Sequence, residues 1–236
     1  MPATVGVGDA RRYGCAMAAA PPPNSPESHT YDADSVVAEV TEPGHDRIGV
    51  AVLAHGAGGN RHAVILRVLA DELSARGLLV ARIDLPYRQR RPKGPPSPST
   101  AAADRTGIVA ACETFRLDGV PLIVGGHSYG GRQASMAVAE NPDLADGLLL
   151  TSYPLHPPGK PDRLRTEHLS SISVPTVIVH GSTDPFATPA ELADAVALIP
   201  SPTRVVEIEK VGHNLNPDRA PTATVTADAV FDTLMG

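Results

Sequence analysis

The stretch "PLIVGGHSYGGR", residues 121–132, runs from an apolar segment through a glycine-flanked serine into a segment with helical periodicity. A short continuous apolar run of this kind is the pattern of a strand buried on both faces of a parallel sheet. Within it, Gly126-His127-Ser128-Tyr129-Gly130 matches G-x-S-x-G, with a strand before it and a helix over 129–140 after it. A chain that turns so sharply from strand to helix strains the backbone of its central residue and brings neighbouring chains close, so the flanking positions need the smallest side chains. The hydroxyl of Ser128 is then held at the sheet's edge. The helix N-terminus beneath it supplies free amides and a dipole that favour developing negative charge. In this context the pentapeptide predicts a nucleophilic serine rather than a hydroxyl in an ordinary turn.

The rest of the chain repeats the strand-and-helix alternation. Buried strands are expected at 48–55, 78–85, 121–127, 147–153, 174–181 and 203–209, and an antiparallel strand at 35–40. Helices are expected over 61–76, 100–117, 129–140, 188–198 and 222–234; in the first, Ile65, Leu66, Leu69 and Leu73 share a face and Gly77 supplies the stop. This is an α/β chain with an open, mostly parallel sheet covered by helices on both faces, whose chemistry belongs on the loops at the carboxyl ends of its strands. Residues 1–30, rich in Gly, Ala and Pro, show no apolar periodicity and read as a disordered tail, with one domain over 31–236.

A serine hydroxyl needs an imidazole base and an acid to orient that base. In a fold of this type they follow in the order serine, acid, histidine. Asp184 lies in "STDPF", directly after the strand at 174–181, and His213 lies in "VGHNLN", after the strand at 203–209. Rival acids are less well placed: Asp162 falls in a Pro-rich loop and Asp194 inside a helix. Among the other histidines, His55 and His127 flank the expected site and read as structural or substrate-facing, His180 ends a strand, and His156 and His168 lie in a long loop. The oxyanion donors are expected to be the backbone N–H groups of Tyr129, just after the serine, and Ala57, in the glycine-rich loop "HGAGGN" (55–60). That loop lacks the spacing of a dinucleotide or P-loop phosphate site.

The chain has 236 residues, 42% hydrophobic and 19% charged, with a net charge of -6, which fits one globular domain and argues against nucleic acid as the main partner. No run approaches the length of a membrane span and the N-terminus shows no secretory pattern, so a cytoplasmic protein without membrane attachment is expected, as a monomer or homodimer. Two cysteines, Cys15 and Cys112, give neither a disulfide framework nor a metal site, and neither metal nor organic cofactor is expected.

From about residue 35 to the end the chain resembles the α/β-hydrolase superfamily. Within it, "LAHGAGGN" (53–60), "GGHSYGGR" (125–132) and residues 152–186, "SYPLHPPGKPDRLRTEHLSSISVPTVIVHGSTDPF", resemble a little-characterised branch. That branch includes a testis-expressed hydrolase-like protein and the hydrolase-like subunit of the non-specific-lethal chromatin complex, and it is related to dienelactone-hydrolase-like proteins. The long extensions expected of a chromatin subunit are missing, so that role is not carried over. The resemblance implies a serine hydrolase without a dependable substrate. Only a loop and a short helix near 164–169 separate the strands at 147–153 and 174–181, too little for a cap domain, and an uncapped site favours small carboxylic esters or thioesters. The loop 86–99 carries Arg88, Arg90, Arg91 and Lys93 without an acid, and Lys160, Arg163 and Arg165 occupy another loop. These loops are candidates to select an anionic ester or thioester or to contact an acidic partner, the plain alternative being solvated basic loops kept rigid by proline; Arg88 and Arg90, with His55 and His127, are the candidate substrate contacts. Acyl transfer by the same three residues, and a catalytically silent scaffold that binds a partner, remain the alternatives.

Overall fold

Strand β3 (Gly49–Ala54) is buried at every residue and lies between β4 (Leu78–Asp84) and β5 (Leu122–His127), parallel to both. The chain thus leaves β3 to pair on one side and returns to pair on the other. In open α/β sheets that reversal opens a crevice at the strands' carboxyl ends, the usual place for a ligand. The computed structural model describes residues 26–236; residues 1–25 of the tail expected over 1–30, and Cys15 with them, lie outside the described residues.

The sheet has eight strands in the order β1-β2-β4-β3-β5-β6-β7-β8. Strands β6 (Gly147–Thr151), β7 (Thr176–Gly181) and β8 (Thr203–Ile208) extend it in parallel. At the other end β2 (Val36–Glu42) pairs antiparallel to β4, and β1 (Glu27–Ala33) pairs antiparallel to β2. One antiparallel strand was expected, and there are two. The first begins inside the segment read as tail. Asp34 and Ser35 join the pair, both with positive φ (52° and 67°), as a two-residue hairpin turn with the right twist requires.

Helices α3 (Ala101–Phe115), α4 (Tyr129–Glu140) and α5 (Pro189–Val196) pack on one face, and α1 (Val64–Ala75) and α6 (Thr222–Leu234) on the other, giving two separate apolar cores. Helix α1 buries Ile65, Leu66, Leu69, Ala70 and Leu73, and Gly77, at φ 106°, closes its end by donating to the Ser74 carbonyl. Helix α5 starts on a capping box between Thr188 and Glu191.

Three expectations are corrected. Strand β8 is an edge strand with only Ile208 buried, so its Val-rich run does not report a fully covered position. The basic loop after β4 opens with a short helix, α2 (Pro86–Arg90). The segment 152–175 contains one 3-10 turn, Leu169–Ser171, rather than a helix at 164–169. No cap domain is inserted there. Among the described residues no helix is long and apolar enough to cross a membrane.

Candidate active site

The turn from β5 into α4 places Ser128 at φ 51°, ψ -116°, a conformation that an L-residue holds only when its surroundings enforce it. Its N–H donates to the Thr151 carbonyl (2.8 Å), and its own carbonyl accepts the Arg132 N–H (2.9 Å), so both ends of the turn are fixed. A Cβ on Gly130 would stand 2.5 Å from the carbonyl oxygens of Ala54 and His55, which is why the helix can start this close to β3 only with glycine there.

Ser128 Oγ lies 2.8 Å from His213 Nε2, and His213 Nδ1 lies 2.7 Å from Asp184 Oδ2. The three residues expected from their order are therefore joined in one hydrogen-bonded chain. Asp184 follows β7 and His213 follows β8, and their loops are stitched together: the Thr183 N–H donates to Val211 O (3.1 Å) and the Lys210 N–H to Ser182 Oγ (2.8 Å). The other carboxylate oxygen of Asp184 accepts the Phe186 N–H at 2.9 Å. Burial pushes the Asp184 pKa up, but the His213 hydrogen bond and the Phe186 amide outweigh it, leaving the carboxyl below its ordinary value. The imidazole of His213 is flanked by the Phe186 ring, stacked at 4.1 Å, and by His127 at 5.3 Å.

The loop 55–60 is held from behind. The Gly56 carbonyl accepts from His55 Nδ1 (2.8 Å) and from the Gly59 N–H (3.0 Å). A trans peptide points its N–H opposite to its carbonyl, so anchoring Gly56 O aims the Ala57 N–H the other way. The Tyr87 hydroxyl donates to Ala57 O (2.7 Å) and Arg88 Nε to Gly59 O (2.7 Å), while Asp84 holds Arg61 through both its backbone N–H and its guanidinium. Neither the Ala57 nor the Tyr129 N–H donates to a protein acceptor among the described residues.

Arg88 and His55 are thereby corrected as substrate contacts. Arg88 is buried and spends its guanidinium on the carbonyls of Gly59, Arg91 and Gly94. His55 is fully buried, donating from Nδ1 and accepting the Leu85 N–H at Nε2 (3.2 Å), and burial lowers its pKa, which keeps it neutral. Arg90 is exposed on α2 and lines neither cavity at Ser128. His127 does line the smaller one.

Sequence reasoning missed Tyr87 and Asp104. Asp104 is fully buried in α3 and accepts the Tyr87 N–H (2.9 Å) and the Tyr129 hydroxyl (2.8 Å), tying together the segments on either side of the site. With Arg105, Thr106 and Glu113 on the same helix, no sequence pattern marked Asp104 as its buried carboxylate. Ser128 stands between two cavities. One, of about 320 Å³, is lined by Gly56, Gly58, Ala63, His127 and His213; the other, of about 500 Å³, lies beneath the Pro-rich loop 95–98 and against α4. Among the described residues no group of three or more His, Cys, Asp or Glu side chains is placed to hold a metal ion.

Two partly buried imidazoles make the fold sensitive to acid. Burial, and then the nearby His213, pushes His127 down to about 3; burial, and then Arg132, pushes His168 down to about 4. Both are neutral in the native state, whereas in the unfolded chain they take up protons near their ordinary value of about 6.5. The stability they contribute is complete above that value and is lost progressively as pH falls toward the folded values. Urea unfolding from pH 7.5 to 4.5 should show a falling midpoint at constant slope, and His168→Gln should flatten the decline. A midpoint independent of pH over that range contradicts this.

Residues 48–233 match the family described as alpha/beta hydrolase domain, and the chain belongs to that family. Solved structures of similar fold include a dienelactone hydrolase from Anabaena variabilis (21% identity, TM-score 0.69, covering 90% of this chain and 99% of that one). Est1E from Butyrivibrio proteoclasticus superposes with TM-score 0.68 at 15% identity, covering 87% and 98% of the two chains. A Xanthomonas campestris protein, XC6422, described as an α/β serine hydrolase without lid, gives 0.65 at 18% identity, over 89% and 94%.

Proposed function

We propose that this chain is a serine hydrolase that cleaves a small carboxylic ester or thioester through an acyl-enzyme on Ser128. The observation that carries the reading is the unbroken chain Ser128 Oγ, His213 Nε2, His213 Nδ1, Asp184 Oδ2, with both links under 2.9 Å. As Ser128 Oγ attacks the carbonyl carbon, His213 Nε2 takes its proton, and Asp184 stabilises the imidazolium while keeping its own charge. The tetrahedral oxyanion meets the N–H groups of Ala57 and Tyr129; each such donor is worth about 2.7–4 kcal/mol of transition-state stabilisation. Collapse breaks the bond to the alcohol or thiol, which leaves with the proton from His213. Water then attacks the acyl carbon, giving a proton to His213, and loss of the acid returns that proton to Ser128.

The absence of an inserted cap favours small or exposed acyl groups, in keeping with the lidless Xanthomonas structure and with the ferulic acid bound to Est1E. We place the chain in the branch that resembles the testis-expressed hydrolase-like protein, and in the cytoplasm, in keeping with the free thiol of Cys112. Transfer of the acyl group to an alcohol or thiol would use the same acyl-enzyme. Product analysis with competing acceptors separates transfer from hydrolysis.

A fluorophosphonate probe tests the nucleophile. One adduct on Ser128 by intact mass is expected, with labelling abolished in Ser128→Ala. A folded wild-type protein that does not label would defeat the reading in favour of a silent scaffold.

A further inference from the structure

The cavity of about 500 Å³ is lined by Ser128 together with Arg105, Arg132 and Arg165, and by no aspartate or glutamate. Most of the remaining wall is apolar, including Pro95, Pro96, Pro98, Met136 and Pro154. The three cations differ in how far their charge is already answered. Arg105 pairs through Nε with Glu140 (3.0 Å) and donates to Gln133 Oε1 (3.3 Å). Among the described residues, neither Arg132 nor Arg165 has a carboxylate within ion-pair distance. Arg132 Nε is buried without a hydrogen-bond partner, and so is the side-chain nitrogen of the fully buried Gln133 on the same wall. Arg165 gives one donor to Pro154 O (2.8 Å).

Two half-buried guanidiniums on one cavity wall, neither paired with a protein carboxylate among the described residues, are an electrostatically unfavourable arrangement. Burial, and then the charge of Arg132, lowers the pKa of Arg165, as expected if the two are close. Their titratable neighbours relieve them only in part: Tyr153 lies against Arg132, and Tyr153 and Glu167 favour the charge of Arg165. Tyr153 donates its hydroxyl to the Arg165 carbonyl, His168 is held neutral, and Glu167 is exposed and forms no ion pair. An anion that enters with the substrate would satisfy both.

We propose that this cavity selects an acyl group ending in a carboxylate, which Arg132 and Arg165 hold while its carbonyl lies against Ser128. The proposal rests on the reading of Ser128 as the nucleophile. Arg132 follows Ser128 by four residues, one turn along α4, an axial rise of about 6 Å, which suits a chain of a few carbons. Arginine is the side chain whose planar fork matches a carboxylate. The loop arginines that sequence alone offered for anion binding are replaced in this role: Arg88 is consumed by backbone carbonyls, Arg90 is outside the cavity, and of the basic residues in the later loop Arg165 lines the wall.

The test compares two thioesters of equal chain length, glutaryl and valeryl N-acetylcysteamine, with wild-type protein whose Ser128 labelling has been measured. Hydrolysis of the first releases glutarate and the thiol, and kcat/KM for glutaryl is expected to exceed that for valeryl by tenfold or more, about the worth of a charge-assisted hydrogen bond. In Arg132→Gln/Arg165→Gln the ratio should collapse to about one. Should the double variant fail to fold, inhibition of the wild type reads the same wall: glutarate should compete with substrate and valerate should not. A protein that labels on Ser128 but turns over both thioesters equally, or keeps its preference in the double variant, overturns the anionic pocket and leaves the hydrolase intact. A folded protein that does not label overturns both.

Discussion

Replacing Asp184 with asparagine is expected to lower kcat on any ester substrate by about a thousandfold to ten-thousandfold while leaving the protein folded. The cause is the direction of one hydrogen bond. Asp184 Oδ1 accepts the Phe186 N–H at 2.9 Å, and an asparagine would keep its carbonyl oxygen there. Its NH₂ group then faces His213 Nδ1, where Asp184 Oδ2 now accepts at 2.7 Å. Two donors cannot face each other, so His213 adopts the tautomer protonated at Nε2, and the nitrogen 2.8 Å from Ser128 Oγ can no longer take its proton. Steady-state kinetics of the variant, with circular dichroism to verify the fold, measures this. A loss smaller than about tenfold would mean that Asp184 does not orient the base.

The second large effect is on folding. Gly126 has φ 152°, in a region that side chains rarely adopt, and a Cβ there would overlap the Ala54 carbonyl oxygen and stand 2.8 Å from the Ala54 nitrogen. Both obstacles are backbone of the neighbouring strand β3, so no rotamer change relieves them. Gly126→Ala is expected to destabilise the protein by more than about 4 kcal/mol, or to abolish soluble expression. Gly58→Ala is the control, since a Cβ there meets nothing within 4 Å, and it should cost less than about 1 kcal/mol. Equal stability of the two variants in urea would contradict the packing assigned to the turn.

The core of the sheet was legible because burial on both faces leaves only apolar residues tolerable, and runs such as 48–55 and 121–127 state that directly. Ser128, Asp184 and His213 could be proposed for a different reason: each stands on the turn or loop that leaves the carboxyl end of a strand, in an order that sheet topology dictates. Strand β1 was not legible. Its sequence, "ESHTYDA", is exposed at nearly every position and carries no apolar alternation. It is held by the backbone ladder to β2 and by the Tyr31 ring against Phe115, centroids 5.2 Å apart. Strand β8 misleads in the opposite sense, since its valines lie on an edge with a single neighbour. The hardest residue to read was Arg88. Charge in a Pro-rich loop looks the same whether the guanidinium faces water or carbonyls, and what decides it is the position of the Gly59 and Gly94 carbonyls, which no local pattern encodes.

The stitching between the Asp184 and His213 loops divides the molecule into parts that can change at different rates. Ser128, Asp184 and His213 are set by strand ends and by backbone bonds between adjacent turns, whereas the wall of the larger cavity is drawn mostly from segments 95–105 and 154–165 and from the outer surface of α4. On the proposed reading, exchanging those two segments, by drift or by grafting, would retune what is admitted without disturbing Ser128, Asp184 and His213. The proposed preference would then be interchangeable in a way that the proposed reactivity is not.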